Sequence, residues 1–265
     1  MMGIININNE SFFSKSRVLS PKKVAERFLQ MAEEGADYVD FGACSTKPGS
    51  TPVSEAQEIE YLQKPLKQIA ELMEERGREK LPQISIDTFR SEVVKMAYSI
   101  IGPFTVNDIS AGEDDSQMLK TVSELNLPYI AMHKRGTPST MGSLTEYPNG
   151  VVNEVVDYFK AFSKKAEKAG VKEWILDPGF GFAKTIEQNY QLLSSLEKFK
   201  PLGKKILVGI SRKSMIYKLL NITPEEALPA TCALNFMALT KGADILRVHD
   251  VKEAIQCVKM YNQIC

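Results

Sequence analysis

Eight short runs rich in β-branched residues recur along the chain, each followed by a segment of helical period, and this alternation constrains the fold more than any other feature. The runs are Gly3 to Ile7, Ala36 to Phe41, Gln83 to Ile86, Phe104 to Val106, Pro128 to Met132, Glu173 to Leu176, Lys205 to Ile210 and Ala243 to Val248. Between them Val24, Phe28 and Met31 share one helical face, as do Val152, Val155, Val156 and Phe159. Ser20-Pro21 predicts a cap before a proline at the first helical position, and Thr223-Pro224-Glu225-Glu226 predicts a capping box at the start of another helix. Gly35, Gly170 and Gly242 predict helix stops, each just ahead of the next strand.

Spread over 265 residues, eight strand-helix units average about 33 residues each, the size of a (β/α)8 TIM barrel. One α/β domain over residues 1–265 is therefore expected, large enough to bury its core without disulfides or metal. A doubly wound open sheet shares the alternation and is the competing architecture. The barrel is favoured because a polar residue sits at or just past the end of nearly every strand: Asn6, Asp40, Asp87, Asn107 with Asp108, His133, Asp177, Ser211 with Lys213, and Arg247 with His249. Any one of these could merely cap a helix or begin a turn. A barrel brings all of them to one rim, where enzymes of this architecture keep their catalytic groups.

Lysine plus arginine total 33, as do aspartate plus glutamate. That balance gives no global reason to bind nucleic acid or an anionic membrane, so any anion site must be built locally. No stretch reaches the roughly eighteen apolar residues of a membrane span, and Met1 to Glu10 lacks the pattern of a signal peptide, so the chain is expected in the cytoplasm. Cys44, Cys232, Cys257 and Cys265 are scattered with no Cys-x-x-Cys, and His133 and His249 show no His-x-x-x-His spacing. Neither a zinc site nor a disulfide framework is suggested.

Two segments carry the sharpest local chemistry. Asp177-Pro178-Gly179-Phe180-Gly181-Phe182-Ala183-Lys184 follows the sixth run, and its glycines permit a tight turn and close backbone approach to a ligand. Ser211-Arg212-Lys213-Ser214 follows the seventh run and opens a helix, so cations and free backbone N–H groups are expected to point at one anion. Arg247-Val248-His249 follows the eighth, and barrels often bind phosphate between the loops after strands seven and eight.

These segments, with Met2-Gly3-Ile4-Ile5-Asn6-Ile7, Ser45-Thr46-Lys47-Pro48-Gly49, Ile86-Asp87-Thr88, Val106-Asn107-Asp108 and Met132-His133, resemble the dihydropteroate synthase family in family order from residue 2 to about 262. The resemblance implies a TIM barrel, usually homodimeric, that condenses 6-hydroxymethyl-7,8-dihydropterin diphosphate with 4-aminobenzoate, assisted by Mg2+. By the same resemblance Asp87, Asn107, Met132, Asp177, Phe182, Lys213 and Arg247 hold the pterin, and Thr46, Pro48 and Ser214 hold 4-aminobenzoate. Asn6, Thr46, Arg247 and His249 would take the diphosphate, Asn6 reaching it through Mg2+, with Lys213, Arg247, His249 and Asp87 as the catalytic set. The chemistry is coherent: one carboxylate can accept from the adjacent N3–H and 2-amino group of a pterin, and a guanidinium can stack on the ring while its N–H groups face phosphate. This chain departs from the family pattern at Asn8 to Ser16, at Lys47 where arginine is usual, and at Ala183 where glycine is usual. A pterin-binding paralogue without useful synthase activity and a pterin-dependent methyltransferase are the competing functions.

Overall fold

The computed structural model describes residues 1–7, 20–44, 53–137 and 140–264. All eight expected strands are present: β1 (Met2–Asn6), β2 (Tyr38–Gly42), β3 (Gln83–Asp87), β4 (Thr105–Asp108), β5 (Tyr129–Met132), β6 (Trp174–Asp177), β7 (Leu207–Val208) and β8 (Ile245–Val248). They form one parallel sheet in the order β6-β5-β4-β3-β2-β1-β8-β7. A parallel bridge between Leu176 and Ile206 joins the two ends, so the sheet closes as a barrel and the open-sheet alternative is excluded. The seventh strand is shorter than its apolar run suggests, because Ile206 makes only that bridge and regular pairing with β8 is confined to Leu207 and Val208.

The connecting helices are α1 (Pro21–Glu33), α2 (Glu55–Arg76), α3 (Ser91–Ile101), α4 (Met118–Glu124), α5 (Val151–Ala169), α6 (Ile186–Ser194), α7 (Ser214–Leu220), α8 (Leu228–Thr240) and α9 (Val251–Ile264). The Ser20 side chain accepts from the N–H of Lys23 with Pro21 at the first helical position, as the cap pattern predicts. Gly170 ends α5 in the left-handed region at φ 83°, which a residue with a Cβ adopts at a cost. The capping box at Thr223 forms, with Thr223 N–H on Glu226 Oε2, but it closes only a turn and α8 starts later, at Leu228. Pro229, in the first turn of α8, has no N–H to continue a helix from that turn, and Arg212 Nη1 takes the carbonyls of Pro224 and Glu225 instead, at 2.8 and 2.7 Å.

Side chains alternate between the two faces of each strand, and here the alternation sorts two cores. Val39, Phe41, Ile84, Ile86, Val106, Tyr129, Leu176, Val208 and Val248 point outward and pack under the helices. Met2, Ile130, Ile175, Leu207 and Ile245 form a separate cluster inside the barrel. Two residues further along, the inward positions of the same strands become Ile4, Met132, Asp177, Gly209 and Arg247, which line a cavity. The barrel is thus plugged with hydrocarbon at the N-terminal ends of its strands and lined with functional groups at the C-terminal ends.

Candidate active site

The cavity at the C-terminal mouth has a volume of ≈ 230 Å³. Asn6, Asp87, Asn107, Met132, Asp177, Phe182, Lys213, Ser214, Arg247 and His249 all line it. These are all the candidate site residues that lie in the described segments, drawn from seven strands and the loops after them. Thr46 and Pro48, with Lys47, lie outside the described residues, as does the altered run Asn8 to Ser16.

Arg247 sits at the centre of the charge network. Its Nε donates to Asp40 Oδ2 at 2.7 Å, and its Nη2 lies 2.6 Å from that oxygen and 2.8 Å from Asp87 Oδ2. Burial costs the guanidinium, but the two carboxylates more than offset this and hold its pKa above the ordinary value. Burial acts the other way on Asp87, raising its pKa to about 7 although Arg247 opposes the rise. Asp40 is fully buried, and it also accepts from Asn107 Nδ2 at 2.9 Å. Because the carboxylate that meets Arg247 offers only acceptors, it fixes the sense of the Asn107 amide.

The acidic residue of the glycine-rich loop is held differently. Asp177 Oδ1 accepts the N–H of Gly179 at 2.8 Å, and burial raises the pKa of the carboxyl while Lys213 counteracts it. At Gly179 the backbone passes so close to the preceding loop that a Cβ would stand 1.9 Å from the carbonyl oxygen of His133, so no other residue fits. Lys213 Nζ donates to the carbonyl of Phe180 at 2.6 Å and lies 5.2 Å from the centre of the Phe182 ring. Burial lowers the Lys213 pKa to about 8, with Asp177 opposing.

His249 is neutral in this site. Burial, then the charge of Arg247, lower its pKa to about 3. The Ser211 hydroxyl accepts the His249 backbone N–H and lies 3.0 Å from its Nδ1. Donation from that hydroxyl to Nδ1 leaves the ring proton on Nε2.

Four expectations are corrected by the fold. Asp108 ends β4 in the outward phase, where it accepts from the Tyr129 hydroxyl at 2.6 Å and from Ser110, beneath the helices and away from the cavity. His133 is buried against the Tyr158 ring, edge to face at 4.8 Å, and lines a separate open depression with Glu113, Lys134 and Arg135. Arg212 does not present its charge to a ligand, because its Nε and Nη2 grip the two oxygens of Asp250 at 2.8 and 2.9 Å. The helix opened by Ser214 has only seven residues, so its contribution to anion binding rests on the Ser214 hydroxyl and local N–H groups more than on a helix dipole.

Residues to which no role was assigned also shape the site. Asp40 lies on the inward phase of β2, and that phase was the available signal for its pairing with Arg247. Arg90 donates to the carbonyl of Val53 at 2.6 Å, lies 3.5 Å from Cys44 Sγ and pairs with buried Glu58, so it grips both described ends of the segment that carries Thr46 and Pro48.

Comparison with known proteins agrees with this geometry. A family model described as pterin binding enzyme matches residues 2–249, and the chain belongs to that family. Within it, the dihydropteroate synthase of Escherichia coli is 35% identical over 98% of this chain and 89% of its own length. The dihydropteroate synthase of Yersinia pestis, solved with a sulfonamide drug complex, superposes with a TM-score of 0.91 at 29% identity, covering 99% of this chain and 92% of that one. That of Xanthomonas albilineans, solved with 4-aminobenzoic acid, superposes with a TM-score of 0.86 at 32% identity, covering 99% and 92%.

Proposed function

We propose that the chain, acting as one pterin-binding domain over residues 1–265, condenses 6-hydroxymethyl-7,8-dihydropterin diphosphate with 4-aminobenzoate to give 7,8-dihydropteroate and diphosphate in folate biosynthesis. The observation that carries this reading is the convergence of Asp177, Lys213 and Arg247, from three different strand ends, on one cavity.

Asp177 accepts from the pterin N3–H and 2-amino group, a charge-assisted pair that also favours its ionised form over burial. Asn107, turned by Asp40, meets the same edge, and Asp87 takes a further ring N–H. Lys213 donates one hydrogen to Phe180 and keeps two for the oxygen side of the ring. Arg247 commits Nε and Nη2 to its carboxylates, leaving Nη1 for the diphosphate and its flat face for the heterocycle. Met132 and Phe182 pack on the ring.

Once the charge of the diphosphate is neutralised it leaves, and the bond to the pterin methylene carbon breaks with its electron pair going to the leaving oxygen. The resulting cation is delocalised into the pterin, and the neutral arylamine of 4-aminobenzoate attacks it; the nitrogen of the new C–N bond gives its extra proton to the departing diphosphate, so no strong base is needed. His249 contributes an Nε2–H donor to the departing diphosphate and no charge. The Ser214 hydroxyl receives the carboxylate of 4-aminobenzoate, with Thr46 and Pro48 assigned to that slot by family likeness alone.

No cluster of three acidic, histidine or cysteine side chains able to hold a metal exists among the described residues. Asn6 is a single neutral oxygen donor at the cavity, which fits Mg2+ only when the substrate diphosphate supplies further oxygens. Mg2+ bound in that way would neutralise the leaving group.

Two copies are proposed to pair through the α8–α9 face, where Leu234, Phe236 and Met237 stay half-buried and Met260 and Ile264 are exposed. No helix among the described residues is long and apolar enough to cross a membrane, and a cytoplasmic enzyme working on small soluble substrates is proposed. Purified protein incubated with the pterin diphosphate, radiolabelled 4-aminobenzoate and Mg2+ should release labelled dihydropteroate. Ligand binding without labelled product would instead identify a pterin-binding protein that has lost the reaction.

A further inference from the structure

The loop that follows β6 is strung between two lysines, Lys184 buried and Lys213 half-buried. Lys213 takes the carbonyl of Phe180 from the cavity side. Lys184, which does not line the cavity, takes the carbonyls of Gly179 and Phe182 from behind, both at 2.9 Å. Its Nζ also lies 3.0 Å from Nδ1 of His133, just past the end of β5. Nζ thus meets three groups at hydrogen-bonding distance, donating to the two carbonyls and sharing one hydrogen bond with the His133 ring, while burial holds the pKa of Lys184 well below its ordinary value. Burial, and then the charge of its neighbour Lys184, keep the His133 ring neutral, so the contact is a single hydrogen bond between Nδ1 and Nζ.

What these bonds hold in place is the pterin-facing part of the mouth. The carbonyl of Gly179 also accepts the N–H of Phe182 at 3.1 Å, closing the turn whose first N–H orients Asp177. The partner loop, tied through His133, begins at Met132. We propose that Lys184 is a positioning residue for pterin recognition: it clamps the loop after β6 onto the end of β5, so that Asp177, Phe182 and Met132 meet one ligand in a fixed geometry. This rests on the pterin site assigned above and deepens it. Without the clamp, the carbonyls of Gly179 and Phe182 lose a buried donor and the loop relaxes around them.

The test is steady-state kinetics in both substrates together with calorimetric titration of 6-hydroxymethylpterin. Lys184→Met keeps the length and removes every donor. It should raise the KM for the pterin diphosphate on the order of 10-fold to 100-fold, the range expected when buried hydrogen bonds that orient the binding groups are lost. The KM for 4-aminobenzoate should stay within about threefold of wild type, since its slot lies on other loops. Lys184→Arg, which restores donors, should recover most of the loss. A parallel rise in both KM values, or a fall in kcat with the pterin KM unchanged, overturns the proposal. Should Lys184→Met fail to fold, His133→Phe removes a single hydrogen-bond partner of Lys184 and keeps an aromatic ring there. An increase of about tenfold in the pterin KM alone supports the clamp, and an unchanged value sinks it. Asp177→Ala run alongside separates the two levels: if it still binds the pterin, the site assignment fails, whereas if it abolishes binding and Lys184→Met does not weaken it, only the clamp fails.

Discussion

The two ends of the same barrel differ by one step of strand alternation. Ile175 and Asp177, or Ile245 and Arg247, are neighbours on the inward face of one strand, yet the first of each pair belongs to a dry apolar plug and the second to a network of buried charge. The plug lowers free energy by removing hydrocarbon from water. The mouth does the reverse, since Asp87 and Asp177 there both have their pKa displaced upward by burial. Stability is concentrated at one end, and the other holds groups whose ionisation costs free energy until a partner or ligand meets them.

Arg247→Ala should break this division most severely. It removes the proposed diphosphate contact, for which a fall in kcat/KM of about 1000-fold is expected. It also leaves the buried Asp40 and the half-buried Asp87 without their cation, so denaturant titration should show a loss of about 3–5 kcal/mol. A stable, inactive variant would mean that the mouth contributes nothing to folding. Ile175→Ala tests the plug in isolation. A cavity in this buried layer should cost about 2–5 kcal/mol, while the kcat/KM of the folded fraction stays at the wild-type value. Reduced kcat/KM at full folding would show that the plug also sets the geometry of the mouth.

Ionisation sharpens the same contrast. Asp87 must be charged to accept a ring N–H, and its pKa is raised to about 7, so kcat/KM for the pterin diphosphate should rise with pH through that value. Lys213 must keep its proton, and its pKa is lowered to about 8, so the rate should fall again above it. The profile is a narrow bell, and Asp87→Asn should remove only its acidic limb. The smallest effect is expected at Ala183, which holds φ 50° where glycine is usual in the family. Ala183→Gly should raise stability by about 1 kcal/mol, read as a small increase in Tm, with turnover unchanged.

Eight strands were legible because each is short, apolar and followed by helical periodicity with cap and stop residues, all properties of a few adjacent positions. The polar residues that line the cavity were legible as groups interrupting those runs. Orientation was harder to read. Asn107 and Asp108 are adjacent and both polar, but the pleat sends one into the cavity and the other under Tyr129. Arg212 and Lys213 are a similar pair, but Asp250 captures the Arg212 guanidinium while Lys213 Nζ reaches the carbonyl of Phe180 at the cavity.

By itself, the order of residues determined eight strand-helix units, the closure they permit, and an inventory of acids, cations and amides at strand ends. The tertiary structure decided which of these meet. Asp40 and Arg247 are separated by 207 positions, and nothing in either neighbourhood announces the other. Their pairing, the depressed ionisation of His249 and the three hydrogen-bond partners around Lys184 depend on distance and dielectric through space, and those exist only once the barrel has closed and excluded water.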